Sequence, residues 1–349
     1  MRSVRNADLR AHADRLWDAV ADGDEYRAGE AVTAALDDGT DPEAVLLDVI
    51  GAVQRKVGEE WAANRFTVAQ EHAATAINER VLAAFPRTLR PEPGRGRVTV
   101  ACVDGEWHAM PARLLAEVLR LRGFRVDYLG AQVPAPHLIA HLHRTGPDAV
   151  ALSGSIATRL PAAHATITAC QAAGTPVIAG GAAFGPDGRY ARLFGAEAWA
   201  ADARGAADRL AEGRLPRPKP PHQPIDDLPH LADQEYTMVS RTAPQLVKAL
   251  YTGLEERIPA MRDYTDLQRQ YTAEDLAHIV DFLATALYTG DGSLFTAFLT
   301  WTGAILDSRG VPAASLLPAL ELLGTQLHDF PRATGFLADA REQLRPASV

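Results

Sequence analysis

The sequence predicts a multidomain α and α/β protein: an N-terminal helical bundle, a doubly wound parallel-sheet domain and a C-terminal all-α domain. Three observations carry this expectation. The stretches Pro86 to Arg97 and Gly213 to Pro224 are rich in Pro, Gly and Arg, lack apolar periodicity and read as linkers. The hydrophobic period is helical before the first linker, alternates between strand and helix up to the second, and is helical again after it. The composition of the 349 residues, 47% hydrophobic and 23% charged, suits packed domains. The expected boundaries are a bundle over 1–85, a linker over 86–97, an α/β domain over 98–213, a Pro-rich linker over 214–235 and an all-α domain over 236–349.

In the bundle, Asp41 caps a helix with Pro42 at its first position, and Leu46, Ile50, Val53 and Val57 form one apolar face. A further helix starts near Thr67 and runs through Ala73, Ile77 and Leu82 to Phe85. The middle segment offers four β-rich runs, residues 97–103, 124–130, 148–154 and 175–181. Between them lie helical stretches over 110–122, 135–145 and 158–173. Such alternation makes a parallel sheet whose ligand lies over the strand carboxyl ends, where Asp104 to His108, Ser153 to Ser155 and Gly180 to Gly185 fall. In the last segment Thr272 and Asp275 read as a capping box before a stripe of Leu276, Ile279, Val280, Leu283 and Leu287. Two further stripes follow, one from Phe295 to Leu306 and one from Leu316 to Leu327.

The charge balance, 44 acidic against 35 basic residues with a net charge of -9 and no basic stripe, disfavours a nucleic-acid partner. Cys102 and Cys170 have no metal-type spacing and suit a reducing, cytoplasmic setting. Met1 to Arg10 lacks an apolar leader, and no run approaches the roughly 20 apolar residues of a membrane span. With no Walker loop, GxSxG or kinase motif, the chain is not expected to be an enzyme.

Glu106 stands two residues before His108 in the loop after the first strand. An acid so placed can orient an imidazole as a metal ligand through its second nitrogen, although a lone histidine at a helix start is ordinarily a polar or capping residue. The run Asp104 to Pro134 as a whole resembles the cobalamin-binding domain of methionine synthase, corrinoid proteins and light-sensing cobalamin proteins. The family's acid-x-His-x-x-Gly pattern reads here Glu106-Trp107-His108-Ala109-Met110-Pro111. The resemblance implies that His108 is the lower axial ligand of cobalt and that Glu106 holds the ring. It further implies that Ser153, Gly154 and Ser155, with Gly180 and Gly181, line the slot for the displaced nucleotide tail. Pro111 departs from the family's glycine, at a helical first turn where proline is tolerated.

A second constellation runs from Trp61 to His72. As one straight helix it would separate tryptophan from histidine by about 16 Å, so a corner near Asn64 to Thr67 is expected. Val68, Glu71 and His72 then share a face of the next helix. The ordinary alternative is a core tryptophan and a solvated Glu-His pair. Tryptophan, nine residues, then Glu-His resembles the signature of adenosylcobalamin photoreceptors, including the light-released repressors of carotenoid synthesis. In that resemblance Trp61, Val68, Glu71 and His72 cap the adenosyl group. Two features differ from those repressors: no DNA-binding domain is read before the bundle, and Ala62 stands where they carry a histidine able to ligate cobalt after photolysis. His72 is the candidate replacement.

The three-domain order, with a globin-like helical C-terminal domain, resembles the photocobilins, which carry cobalamin and a bilin, biliverdin. This resemblance implies propionate partners among Arg257, Arg262 and Arg269, aromatic packing from Tyr264 and Trp301, and His278 facing the pyrrole nitrogens. No cysteine lies in this segment, so attachment would be non-covalent. The expected function is light sensing through adenosylcobalamin and biliverdin, with output through a light-dependent homo-oligomer or a separate effector protein. The alternatives are a corrinoid methyl carrier and, for the last domain, a ligand-free interaction module.

Overall fold

In the computed structural model the described residues are 2–86, 89, 91–218 and 224–345, with side chains described except at 2–7, 224 and 225. The chain divides into two compact units, Met1–Pro221 and His222–Val349. Parts of both expected linkers, residues 87, 88, 90 and 219–223, lie outside the described residues.

The first unit opens with α1 (Arg2–Ala21) and α2 (Glu25–Asp37), neither of which the sequence reading delimited. The next helix, α3 (residues 42–62), begins where expected: the Asp41 carboxylate accepts from Ala44 N–H at 3.0 Å, and Pro42 occupies the first turn. A π-helical turn, Val45–Ile50, buries Val45, Leu46, Val49 and Ile50, and Val53 and Val57 continue the apolar face. Helix α4 (Val68–Ala83) is opened by a reciprocal cap in which Thr67 and Gln70 exchange side-chain and backbone hydrogen bonds.

The α/β part follows the predicted alternation: β1 (Arg97–Cys102), α5 (Ala109–Leu121), β2 (Arg125–Gly130), α6 (Ala135–Thr145), β3 (Ala149–Ser153), α7 (Leu160–Ala172) and β4 (Val177–Gly180). The structure adds α8 (Arg189–Leu193), the three-residue β5 (Ala198–Ala200) and α9 (Ala203–Ala211), too short to stand out as periodic runs. All strand pairs are parallel, in the order β2-β1-β3-β4-β5. Because the order reverses at β1 and β3, their carboxyl ends border the crevice where such sheets take ligands.

Bundle and sheet share one core, in which Leu46 and Gly51 of α3 meet Leu114 of α5. Beside that contact Glu43 accepts from Nε and Nη2 of Arg122, both at 2.8 Å, and from Arg204 Nε at 3.2 Å. Arg204 also donates to Asp48 at 3.0 Å, and Arg122 pairs with Asp208. The Arg122 hydrogen bonds hold the Glu43 carboxyl below its ordinary value of 4.5 against the opposing effect of burial.

The second unit is helical throughout its described residues, with five long helices: α10 (Glu235–Arg257), α11 (Asp266–Thr289), α12 (Gly292–Ser308), α13 (Leu317–Gln326) and α14 (Pro331–Leu344). Its core takes Leu276, Ile279, Val280, Leu283 and Leu287 from α11 and Leu320 and Leu323 from α13, as the stripes predict. The expected capping box at Thr272 is corrected. Helix α11 starts seven residues earlier, where Thr265 and Gln268 form the reciprocal cap, and the Thr272 hydroxyl instead donates to the Gln268 carbonyl at 2.8 Å. The buried Glu235 carboxylate accepts from the first amides of α14, Arg332 N–H at 3.0 Å and Ala333 N–H at 2.8 Å.

Glu43→Gln is expected to cost about 1–2 kcal/mol at neutral pH, since two arginines lose their shared anion. A carboxyl held low when folded stabilises above its unfolded value, and that contribution vanishes as pH falls through the folded value. Urea denaturation at pH 7 and near pH 3 should therefore show the two proteins converging in acid; an equal gap at both would contradict the assignment.

Candidate functional site

The site is built around a carboxylate with no solvent exposure, Glu106. Its Oε1 accepts from His108 N–H at 2.9 Å and lies 2.7 Å from His108 Nδ1. Its Oε2 accepts from Ser155 N–H at 2.6 Å and Ile156 N–H at 3.0 Å. Burial raises its pKa, but the His108 side chain and the three amides outweigh that and hold it down to about 2. One ionised group thus ties the loop after β1 to the loop after β3. The Glu106 carbonyl extends the tie to β2 by accepting from Gln132 N–H at 3.0 Å.

His108 precedes α5 with its side chain 56% exposed. With Nδ1 donating to Glu106, the lone pair lies on Nε2, the disposition of a metal-ligating imidazole with a carboxylate behind it. Its pKa is raised, first by the Glu106 hydrogen bond, with burial opposing, then by the charges of Glu106 and Glu71. Cys102 offers no competing thiolate, because burial, followed by the charge of Glu106, pushes its thiol up to about 12. Trp107 is 69% exposed beside the histidine.

The glycines of the later loops have a different part from a simple lining. Gly181 has φ +97°, and a Cβ there would run into the Gly154 carbonyl; a Cβ on Gly180 would lie 3.1 Å from the Ala200 carbonyl. Gly154 N–H donates to the Gly180 carbonyl at 3.0 Å, so the two loops pack backbone to backbone beside the buried Ser153. Sequence reasoning missed Ile156 and Gln132, which act through backbone amides and leave no residue-type signal. It also missed Arg159, whose guanidinium packs where Gly105 leaves room.

The bundle's corner lies where the spacing argument puts it. Helix α3 ends at Ala62, Asn64 is left-handed at φ 58°, and Arg65 and Phe66 N–H both donate to the Glu60 carbonyl, at 2.8 and 3.1 Å. The Phe66 ring stacks on Trp17 of α1 at 5.4 Å, pinning the corner to the bundle. Trp61 is half-buried at the end of α3; on α4 Val68 is 57% exposed, Glu71 half-buried and His72 exposed. The charge of Glu71, on the helix after the corner, is among the influences that raise the pKa of His108, after the Glu106 hydrogen bond, burial and the Glu106 charge.

The candidate bilin residues of the second unit are dispersed. Arg257 pairs with Glu321 at 3.1 Å. Arg269 closes a loop by donating Nε–H to the Tyr264 carbonyl at 3.0 Å and Nη2–H to the Arg262 carbonyl at 2.8 Å, which brings those three residues together. His278 and Trp301 are exposed on α11 and α12, flanking a stacked pair, Phe282 and Phe298, with centroids 3.8 Å apart. The groove between α12 and α14, lined by Ser293, Thr296, Phe336, Asp339 and Glu342, contains none of these candidates, and its two carboxylates would repel propionates.

Known families and proteins match this chain. Residues 12–85 and 96–211 each match a family described as a B12 binding domain, so cobalamin, and with it cobalt, is the indicated cofactor. The HTH-type transcriptional repressors CarA and CarH of Myxococcus xanthus are each 33% identical to this chain, over 48% and 50% of it. The chain spans only 57% and 60% of their lengths. Trimethylamine corrinoid protein 1 of Methanosarcina acetivorans is 26% identical over 41% of this chain and 68% of its own. Over 58% of this chain the fold is similar to that of the monomethylamine corrinoid protein of Methanosarcina barkeri, with a TM-score of 0.50 at 21% identity and 98% of the other chain covered.

Glu106→Gln tests the buried anchor. Glutamine brings one acceptor and one donor to four donating groups, so at least one amide must face an N–H. The expected cost is about 3 kcal/mol, read by thermal denaturation of the cofactor-free protein. An unchanged midpoint would mean that the loops hold together without the carboxylate.

Proposed function

We propose that the chain is a light sensor that holds adenosylcobalamin between the bundle and the α/β part of the first unit and signals through a change of quaternary structure. The observation that carries this reading is the presence of both motifs in the first unit: the corner bearing Trp61, Val68, Glu71 and His72, and the Glu106–His108 loop, whose histidine feels the charge of Glu71. The donor set fits the cofactor. A cobalt already held by ring nitrogens needs one protein nitrogen rather than a cage, and among the described residues no cluster of three metal-ligating side chains occurs.

When bound, the cofactor supplies a weak, photolabile cobalt–carbon bond. His108 would ligate the metal from below, its ring held by Glu106. Trp61 and Val68 would cover the adenosyl group with apolar surface, and Glu71 would accept from its ribose hydroxyls. Trp61 and Val68 would close on the upper group only while it is bound, so a bundle interface that differs between the two states would shift the assembly, as a dimer or higher oligomer. His72 is the donor we assign to cobalt in the illuminated state. A regulatory, non-enzymatic role agrees with the two repressors. Their HTH type also means that the expectation of no nucleic-acid partner finds no support in the comparisons. No helix among the described residues is long and apolar enough to cross a membrane.

For the second unit we propose non-covalent biliverdin binding on the α11–α12 pair. His278 and Trp301 are exposed, one turn along their helices from the stacked Phe282 and Phe298. Arg262 is the propionate partner we assign, since Arg257 pairs with Glu321 and Arg269 already closes the loop.

The corrinoid methyl carrier remains the second reading because trimethylamine corrinoid proteins also match this chain. The tryptophan and the Glu-His pair separate the two, since a methyl ligand needs no such cap. Trp61→Ala should weaken adenosylcobalamin binding about tenfold and leave methylcobalamin nearly unaffected; equal losses would favour the carrier. Light scattering of the adenosylcobalamin-loaded protein should give different masses before and after illumination, and one constant mass would remove the signalling claim. Protein expressed with biliverdin should release its pigment on acid denaturation. Failure to acquire pigment would eliminate the bilin.

A further inference from the structure

Glu71 is the end of a hydrogen-bonded chain that runs back into the bundle. Thr75 Oγ1–H donates to Glu71 Oε1 at 3.0 Å, Gln54 Nε2–H to Thr75 Oγ1 at 2.8 Å, and Asn78 Nδ2–H to Gln54 Oε1 at 2.8 Å. The direction of every bond is dictated by the carboxylate. An ionised acid only accepts, so the single hydroxyl proton of Thr75 must go to it. The Thr75 oxygen must then accept, which presents the amide nitrogen of Gln54 and turns its oxygen toward Asn78. All three donors point at Glu71, and bonds aligned in this way polarise one another.

The placement of the chain matches the cap. On α4, Glu71, Thr75 and Asn78 are spaced four and three apart and share one face; on α3, Gln54 lies two turns before Trp61 on the face turned to them. The bridge therefore ties together the two helix faces that carry the indole and the carboxylate of the cap. Asn78, fully buried, is left with Oδ1 unpaired among the described residues, a destabilising feature. Glu71 keeps Oε2 for a ligand, since no hydrogen bond among the described residues engages it.

We infer that Thr75, Gln54 and Asn78 are positioning residues that lock Glu71 toward the upper ligand and thereby set the preference of the site for an adenosyl over a methyl group. This rests on the capping role proposed above. The test measures affinities of the full chain for adenosylcobalamin and methylcobalamin, by spectral titration in the dark, for Thr75→Val, Thr75→Ser, Gln54→Met and Glu71→Gln. Valine keeps the shape of threonine without its hydroxyl. Thr75→Val and Gln54→Met are expected to weaken adenosylcobalamin binding about tenfold and methylcobalamin less than twofold, with Thr75→Ser close to the parent. Equal losses for both cofactors, or a serine variant no better than valine, would overturn the positioning role. If Glu71→Gln discriminates between the cofactors while Thr75→Val and Gln54→Met do not, the relay alone fails. If Glu71→Gln does not discriminate, the capping reading fails with it. Methylcobalamin binding serves as the internal check on folding, and Gln54→Met keeps the question answerable should Thr75→Val not fold.

Discussion

A single buried charge, the Glu106 carboxylate, organises the ligand end of the first unit. A carboxylate moved out of water is strongly destabilised unless its lone pairs are filled, and here four donors from two loops fill them. The consequence is reciprocal. The loops cannot separate without exposing an unpaired anion, and the anion cannot relax without releasing the imidazole. His108 is therefore held in one tautomer and one orientation by the strand ends themselves, with its second nitrogen turned outward. The glycine contact between residues 154 and 181 lets the third loop close to the same plane.

The upper side of the site obeys a different logic. Glu71 is half-buried rather than sealed, and its order comes from a chain of neutral groups instead of a ring of amides. The corner that presents it is fixed by ordinary means: a left-handed Asn64, the Thr67–Gln70 cap and the Phe66–Trp17 stack. The proposed lower ligand site is thus held by a charge that is costly to disturb, and the proposed cap by contacts of modest strength. That asymmetry would suit a lower ligand that stays and an upper ligand that comes and goes.

Much of this was legible in sequence because it depends on period and local chemistry. The strand-helix alternation, the Asp41 cap and the corner demanded by the distance from Trp61 to His72 follow from short-range rules, and Glu106-x-His108 is a two-residue motif whose partners are mostly adjacent. What stayed hidden acts through the backbone or across sequence. Ile156 and Gln132 contribute only amides, so any side chain would serve. The link from Gln54 to Thr75 joins helices that the sequence does not show facing one another. Short elements such as β5 carry too few residues for a period, and the start of α11 was misplaced because Thr272 resembles a cap as well as Thr265 does. In the second unit no short motif specifies a ligand, and the structure explains the difficulty: its arginines are partly committed to loop closure and to Glu321.

The contacts between bundle and sheet are unevenly distributed, and this bears on how a change at the cofactor could reach the surface. At the start of α3 the two parts are joined by a shared apolar core through Leu46, Gly51 and Leu114 and by the Glu43, Arg122 and Arg204 network. At the other end of the same helix, near Trp61, the charge of Glu71 is among the influences on His108, and Val68 remains largely exposed. In the proposed sensor, a helix fastened at its start and closing on a ligand near Trp61 would convert loss of that ligand into a displacement there, whereas uniform fastening would leave the bundle in place. Glu43 is held low and its arginine partners high, so this fastening keeps its charges at neutral pH. In the proposed sensor a difference between dark and light states would therefore fall on the corner, which is also where α4 presents exposed side chains.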